Sequence, residues 1–489
     1  MRLDALIGRL RGDARLVGDG SIVVAGISHD SRRVGPGELF AAVPGRRVHG
    51  LEFLADAVER GAVAVLTDRP RPPGVDLPWI ETDRPRVDMA HAAWAVAGDP
   101  QRRLRIVGVT GTNGKSTVAH LVQLMTEAAG VPCAFLGTLG YRLPGGREVA
   151  AERTTPEAPD LARLLRETVD ADGRVVAMEV SSHALVLDRL AGLEVDVAVW
   201  TNLTRDHLDE HGDMEAYFQA KRRLFTDHLA PDGRRVIGLD DPWGARLLDE
   251  RRDGDLSWGL DRGDIHAADV TSDLDGTSFR LWLDDHEVSV TLALLGVHNL
   301  RNALAAAGAA RALGFDPGAI AAGLSAARPL PGRMERVDAG TSFPVFVDYA
   351  HTPEGLRAVL QSLRRLTDRR LIVVFGAGGD RDPGKRGPMG FAVGELADVA
   401  VVTSDNPRSE DPKDIAAAVA EGVRAAGGEP IQVPDRREAI ARALELADDG
   451  ALVLVAGKGH ETTLTVADRV TPFSDREVIL ECTRRTPCG

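Results

Sequence analysis

Residues 104–118 read LRIVGVTGTNGKSTV, and no other stretch restricts the possible folds as tightly. The β-branched, apolar run Ile106, Val107, Val109 predicts a strand, and a turn rich in glycine (Gly108, Gly111, Gly114) follows it. Lys115, Ser116 and Thr117 come next, and Val118, Leu121, Leu124 and Met125 then recur at helical spacing. A strand, a glycine turn and a helix start together make an anion cradle, because backbone N–H groups converge and the helix dipole adds positive potential. At this spacing Lys115 reaches the β- and γ-phosphates of a nucleotide, while the Ser116 hydroxyl can hold Mg²⁺. The strict pattern requires glycine at 109, where Val109 stands, so the loop is a variant.

The 489 residues predict about three domains. Aromatic residues make up only 4%, which leaves the core to Ala, Val and Leu. A net charge of −14 argues against nucleic-acid binding and requires local Arg and Lys clusters for any anionic substrate. The cysteines (Cys133, Cys482, Cys488) lack metal-ligand spacing and imply a reducing compartment without a disulfide framework. With no secretory apolar region and no long apolar run, a cytoplasmic protein without membrane insertion is expected, and a monomer.

Alternation of strand and helix patterns predicts an α/β chain of three domains. Residues 1–98 form a small N-terminal α/β domain, in which the loop 28–32 (SHDSR) suits either a pyrophosphate or sugar or an ordinary turn. Residues 99–330 form a central phosphate-loop domain with a mainly parallel sheet, β-rich and irregular around 264–295. The sequence PLPG at 329–332 marks the second boundary, and residues 331–489 form a Rossmann-like α/β domain. Its loop 376–381 (GAGGDR) fails as a dinucleotide fingerprint because Arg381 stands at the third small position.

Several polar constellations follow predicted strands. Glu179 ends RVVAMEV one βα unit after the phosphate loop, a position suited to Mg²⁺. His207, within TNLTRDHLD, suits metal ligation or capping, and Lys221, on a helix one turn after Tyr217, reads as a solvated charge. In the last domain Asp348 closes a strand, Arg333 follows the boundary, and Pro407 stiffens the loop that carries Asn406 and Arg408. An arginine fixed in this way suits bidentate capture of a carboxylate, and Glu461 suits an amino group; turn glycines with exposed charges are the alternative.

Taken together, TGTNGKST (110–117), TTPE (154–157), MEVSSHAL (178–185), TNLTRDHLD (201–209), YFQAK (217–221), GVHNLRNALAA (296–306), PGRME (331–335), DYAHTPEGL (348–356), GGDRDPGKR (378–386), DNPR (405–408) and GKGHE (457–461) resemble the Mur ligase family of ATP-dependent amide-bond-forming enzymes, over essentially the whole chain. The resemblance implies addition of the third stem-peptide amino acid to UDP-N-acetylmuramoyl-L-alanyl-D-glutamate through an acyl phosphate. The DNPR form resembles the version selective for meso-diaminopimelate; a lysine-adding or folylpolyglutamate synthase-like ligase is the alternative. Lys115, Glu179, His207 and Lys221 are then the expected catalytic set, with Mg²⁺ served by Ser116, Glu179, His207 and Lys221, the last as a carbamate formed from CO₂. ATP is expected at Thr110, Gly111, Thr112, Asn113, Gly114, Lys115, Ser116 and Thr117, with Asn299, Arg333 and Asp348. The UDP-sugar peptide falls to Ser28, Arg46, Arg47, Val48, His49, Thr154, Thr155, Ser181 and Arg189, and diaminopimelate to Arg381, Asp405, Asn406, Pro407, Arg408, Gly457 and Glu461. Leu187 stands where the family commonly carries glutamine, and leucine cannot donate the hydrogen bond to substrate that the resemblance implies there.

Overall fold

Three α/β sheets and a small hairpin arise from the alternation just described. The computed structural model describes residues 1–45, 48–206, 208–249, 251–467 and 469–484. These residues form two compact units: Met1–Asp269 with Phe279–Val290 and Arg301–Ala326, and Val270–Ser278 with Thr291–Leu300 and Ala327–Gly489.

The first unit begins with a five-stranded sheet ordered Arg15–Val17, Trp79–Glu81, Ala64–Thr67, Glu38–Ala41, Gly26–Ser28. All neighbours run parallel except the first pair. Helix Pro85–Ala97 starts on proline, which suits the first helical turn, and ends on Gly98 in the left-handed conformation. It buries Met89, Ala92, Ala93 and Trp94.

The central sheet has a parallel core ordered Leu229–Gly238, Val195–Trp200, Arg105–Thr110, Val175–Glu179, Cys133–Gly137. Arg105–Thr110 comes first in the chain and lies in the middle, so the connection from Val175–Glu179 to Val195–Trp200 passes over it. That makes it the point where strand order reverses, and ligands in open α/β sheets gather beyond the carboxyl ends at such points. Four of these strands are nearly continuous buried apolar runs, as in a sheet covered on both faces, whereas Leu229–Gly238 is buried only over its last four residues. Residues 264–295, expected as β-rich and irregular, are β-rich but regular, with strands Ile265–Ser272, Thr277–Leu283 and His286–Leu292 at one edge. Along Thr277–Leu283 buried and more exposed side chains alternate, as on a sheet with one wet face.

In the second unit the strand order is Glu335–Val337, Val345–Asp348, Ala451–Ala456, Arg370–Phe375, Val399–Val402, Pro430–Gln432. Only the Glu335–Val337 pairing is antiparallel. Loops after all five parallel strands therefore emerge at the same end of the sheet. Among the described residues no helix is long and apolar enough to cross a membrane.

Candidate active site

The phosphate loop leaves Arg105–Thr110 and enters helix Lys115–Ala128. A second segment, residues 201–204 (TNLT), clamps it from the end of the neighbouring strand. Thr112 N donates to the Asn202 carbonyl at 2.8 Å, and Asn113 N donates to Asn202 Oδ1 at 3.1 Å. Thr201 Oγ1 donates to the Asn113 carbonyl at 2.6 Å, and Thr204 N to Thr112 Oγ1 at 3.0 Å. Gly111 must be glycine: its φ is 146°, and a Cβ there would lie 1.9 Å from Thr201 Oγ1. Lys115 Nζ folds onto the loop, donating to the Gly111 and Thr112 carbonyls at 3.0 and 2.9 Å.

Lys221 departs from the solvated-charge reading. Helix Met214–Thr226 turns it inward to 1% exposure, and its Nζ donates to the Gly111 carbonyl at 2.8 Å. The Tyr217 ring lies 4.6 Å from that ammonium, consistent with their one-turn spacing. Burial, and then the charge of Lys115, hold the Lys221 pKa well below the ordinary lysine value, with Asp206 opposing.

Glu179 pairs in register with Val109, beside the loop, and is buried. Thr138 N donates to Glu179 Oε1 at 2.8 Å, fixing the carboxylate. The same strand end gathers the predicted sugar-peptide residues. Thr155 Oγ1 donates to the Glu179 carbonyl at 2.9 Å and accepts from Ser181 N at 3.0 Å, while Arg189 Nη1 donates to the Thr155 carbonyl at 3.0 Å. Thr154 Oγ1 lies 2.9 Å from Thr138 Oγ1, and Ser181 caps the short helix Ser182–Val186. Arg189 also pairs with buried Glu157 at 2.9 Å. Elsewhere in the unit, Ser28 and His29 line a cavity of about 390 Å³. His49 is buried against Asp68 at 2.8 Å, and Val48 is exposed. Arg46, Arg47 and His207 lie outside the described residues.

In the second unit, Asp348 and Ala456 pair in register, so the loops after them meet, and Gly457 N donates to the Asp348 carbonyl at 3.0 Å. The buried Asp348 carboxylate accepts from Met334 N and Ala350 N at 2.7 and 2.8 Å; burial nonetheless raises its pKa. Arg333 lies over the Tyr349 ring at 4.7 Å, and Asn299 Nδ2 donates to the Leu295 carbonyl at 2.9 Å.

The DNPR loop crosses from the next strands. Asn406 Nδ2 donates to Glu461 Oε2 at 2.9 Å, and Asp405 is buried nearby. Arg408 has left-handed backbone (φ 52°), a costly conformation for a side chain this long, and its Nη1 donates to the Gly379 carbonyl at 2.7 Å. Pro407 stands against Gly379, whose N–H donates to the Asn406 carbonyl at 2.9 Å. Burial pushes the Glu461 carboxyl up, but Lys458 and Asn406 outweigh it and hold its pKa below the usual glutamate value. Arg381 is exposed, and its Nη1 donates to the Asp380 carbonyl at 3.4 Å. Sequence reasoning assigned no role to Thr201 or to Lys458, which is buried beside Glu461.

A phosphate loop at the switch point of a parallel sheet, rimmed by a buried acid and a buried lysine, defines a mononucleotide-binding α/β protein equipped for phosphoryl chemistry. Three family domains match the chain in order: "Mur ligase family, catalytic domain" at residues 23–97, "Mur ligase middle domain" at 109–310, and "Mur ligase, glutamate ligase domain" at 332–459. A UDP-N-acetylmuramoyl-L-alanyl-D-glutamate--2,6-diaminopimelate ligase of Solibacter usitatus (strain Ellin6076) is 44% identical, covering 94% of this chain and 93% of its own. The protein of that name from Gloeobacter violaceus is also 44% identical, covering 98% and 97%. A solved structure with the same name superposes with a TM-score of 0.71 at 32% identity, covering 99% of both chains. The chain belongs to the Mur ligase family and is an ATP-dependent ligase.

Proposed function

We propose that this chain joins meso-2,6-diaminopimelate to UDP-N-acetylmuramoyl-L-alanyl-D-glutamate with ATP, in peptidoglycan precursor synthesis. Residues 1–98 bind the UDP-sugar, 99–330 bind ATP, and 331–489 bind the amino acid. The substrate carboxylate attacks the γ-phosphorus of ATP, ADP leaves, and the diaminopimelate amine then adds to the acyl phosphate and expels phosphate. The loop N–H groups and Lys115 stabilise charge on the transferring phosphoryl oxygens.

Glu179, held on one oxygen by Thr138 N, and the Ser116 hydroxyl fit a hard cation, and Mg²⁺ bound there would supply further charge neutralisation. The buried, readily deprotonated Lys221 amine supports its conversion to a carbamate: the nitrogen bonds CO₂, loses a proton and becomes an anionic ligand. His207 completes that set. Use of nucleotide substrates supports a cytoplasmic location.

The observation that carries the choice of amino acid is the grouping of Asn406 with Glu461, 2.9 Å apart, beside Arg408. An amide, a carboxylate and a guanidinium fork suit an end that bears both ammonium and carboxylate. Lysine would leave the arginine unpaired, at a cost to binding. ADP release with UDP-N-acetylmuramoyl-dipeptide and either meso-diaminopimelate or L-lysine tests this. Preference for meso-diaminopimelate is expected; equal or greater turnover with lysine would reject the assignment.

A further inference from the structure

We infer that Lys458 is a positioning residue that sets the amino-acid pocket's preference for a substrate end bearing both ammonium and carboxylate over an end bearing ammonium alone. This rests on the reading of that pocket given above. Lys458 follows strand Ala451–Ala456, and its side chain is fully buried. Its Nζ lies 2.9 Å from Glu461 Oε2, 3.3 Å from Asn406 Oδ1 and 3.9 Å from Asp405 Oδ1. An ammonium taken out of water is costly unless its partners are well placed, so the burial itself calls for a use.

Its first effect is on Asn406. Oδ1 of that amide accepts from Lys458 and also from Thr465 N at 3.0 Å, so two donors fix which end is oxygen. The amide Nδ2 must then face Glu461 and keeps one N–H for a ligand carboxylate. Thr465 ties the same arrangement to Arg408, whose N–H donates to the Thr465 carbonyl at 3.2 Å. Glu461 Oε2 takes both Lys458 and Asn406, which directs Oε1 toward a ligand ammonium.

The second effect is on charge. Lys458 is the counter-ion set between the Asp405 and Glu461 carboxylates. Buried Arg436, paired with Asp475 at 2.7 Å, also acts on Asp405 and Glu461 through its charge, and Lys385 acts on Asp405, but Lys458 is the cation that hydrogen-bonds Glu461 directly, at 2.9 Å. Without Lys458 the pocket becomes more anionic and the amide is released. Both changes penalise the end carrying a carboxylate and spare an end carrying ammonium alone.

The test compares full-length wild type with Lys458→Met and Lys458→Arg, measuring kcat and KM for meso-diaminopimelate, L-lysine and ATP. In Lys458→Met the ratio of kcat/KM for meso-diaminopimelate to that for lysine falls about tenfold or more, through KM for meso-diaminopimelate, while KM for ATP stays unchanged. Lys458→Arg keeps the charge and recovers part of the preference. Should Lys458→Met fail to fold, as its thermal melt reveals, Lys458→Gln carries the same comparison without the charge. An unchanged ratio, or a parallel rise in KM for ATP, overturns the inference and leaves the functional reading standing. A wild type with no preference for meso-diaminopimelate overturns both.

Discussion

Lys221 and Lys115 converge on a single atom: the Gly111 carbonyl oxygen accepts from Lys221 Nζ at 2.8 Å and from Lys115 Nζ at 3.0 Å. Two ammonium groups so arranged cannot both hold their protons cheaply. Lys221 is the more buried, and burial together with the Lys115 charge holds its pKa well below the ordinary lysine value. A buried lysine whose proton is loosened in this way is the one suited to react with CO₂, so full-length protein given ¹³C-bicarbonate is expected to show a carbamate carbon signal in its NMR spectrum. The signal should vanish in Lys221→Met, and its presence there would assign it to another amine.

In the proposed reaction Lys115 is the cation that meets the terminal phosphate. Lys115→Ala is expected to lower phosphate release by at least about 100-fold, as loss of one oxyanion-stabilising donor does, with an unchanged thermal midpoint. Near-normal turnover would remove the loop from the chemistry.

Gly111→Ala tests the clamp made by residues 201–204. The added Cβ would collide with Thr201 Oγ1 in a backbone conformation that alanine resists. A stability loss of about 1–3 kcal/mol in urea melts and a raised KM for ATP are expected. An unaltered KM would mean that the clamp does not shape the nucleotide site.

His120, on the helix that leaves the phosphate loop, provides a pH signature. Burial first, and the Arg142 charge second, push its pKa from 6.5 to about 4. The unfolded chain therefore binds more protons than the native state between those values. Stability is full above pH 6.5 and is lost as pH falls toward about 4, by about 1–3 kcal/mol. In His120→Gln the loss over that window should shrink, as read from denaturant midpoints at pH 7.5 and pH 5.

Local order was legible and distant contact was not. The strand, turn and helix around residues 104–118 follow from periodicity and glycine spacing, as do the strand ends at Glu179 and Asp348. Lys221 looked solvated because its burial depends on a carbonyl 110 residues away, and Thr201 grips a carbonyl 88 residues away. Helix Arg386–Leu396 is hidden in the sequence because its proline and three glycines suit a loop. One of those glycines is required by packing, since a Cβ at Gly390 would lie 2.0 Å from the Val419 carbonyl oxygen of a neighbouring helix. Lys458 sat unremarked in a recognised motif because only tertiary structure shows it buried between Asn406 and Glu461.

In the proposed reaction the loop holds ATP so that a substrate carboxylate becomes an acyl phosphate. Labelling the acceptor carboxylate of UDP-N-acetylmuramoyl-dipeptide with ¹⁸O and weighing the released phosphate tests it most directly. One labelled oxygen carried into each phosphate is the predicted result, because the carboxylate oxygen that attacks phosphorus leaves with it. Phosphate free of label, with the amide still formed, would contradict the account.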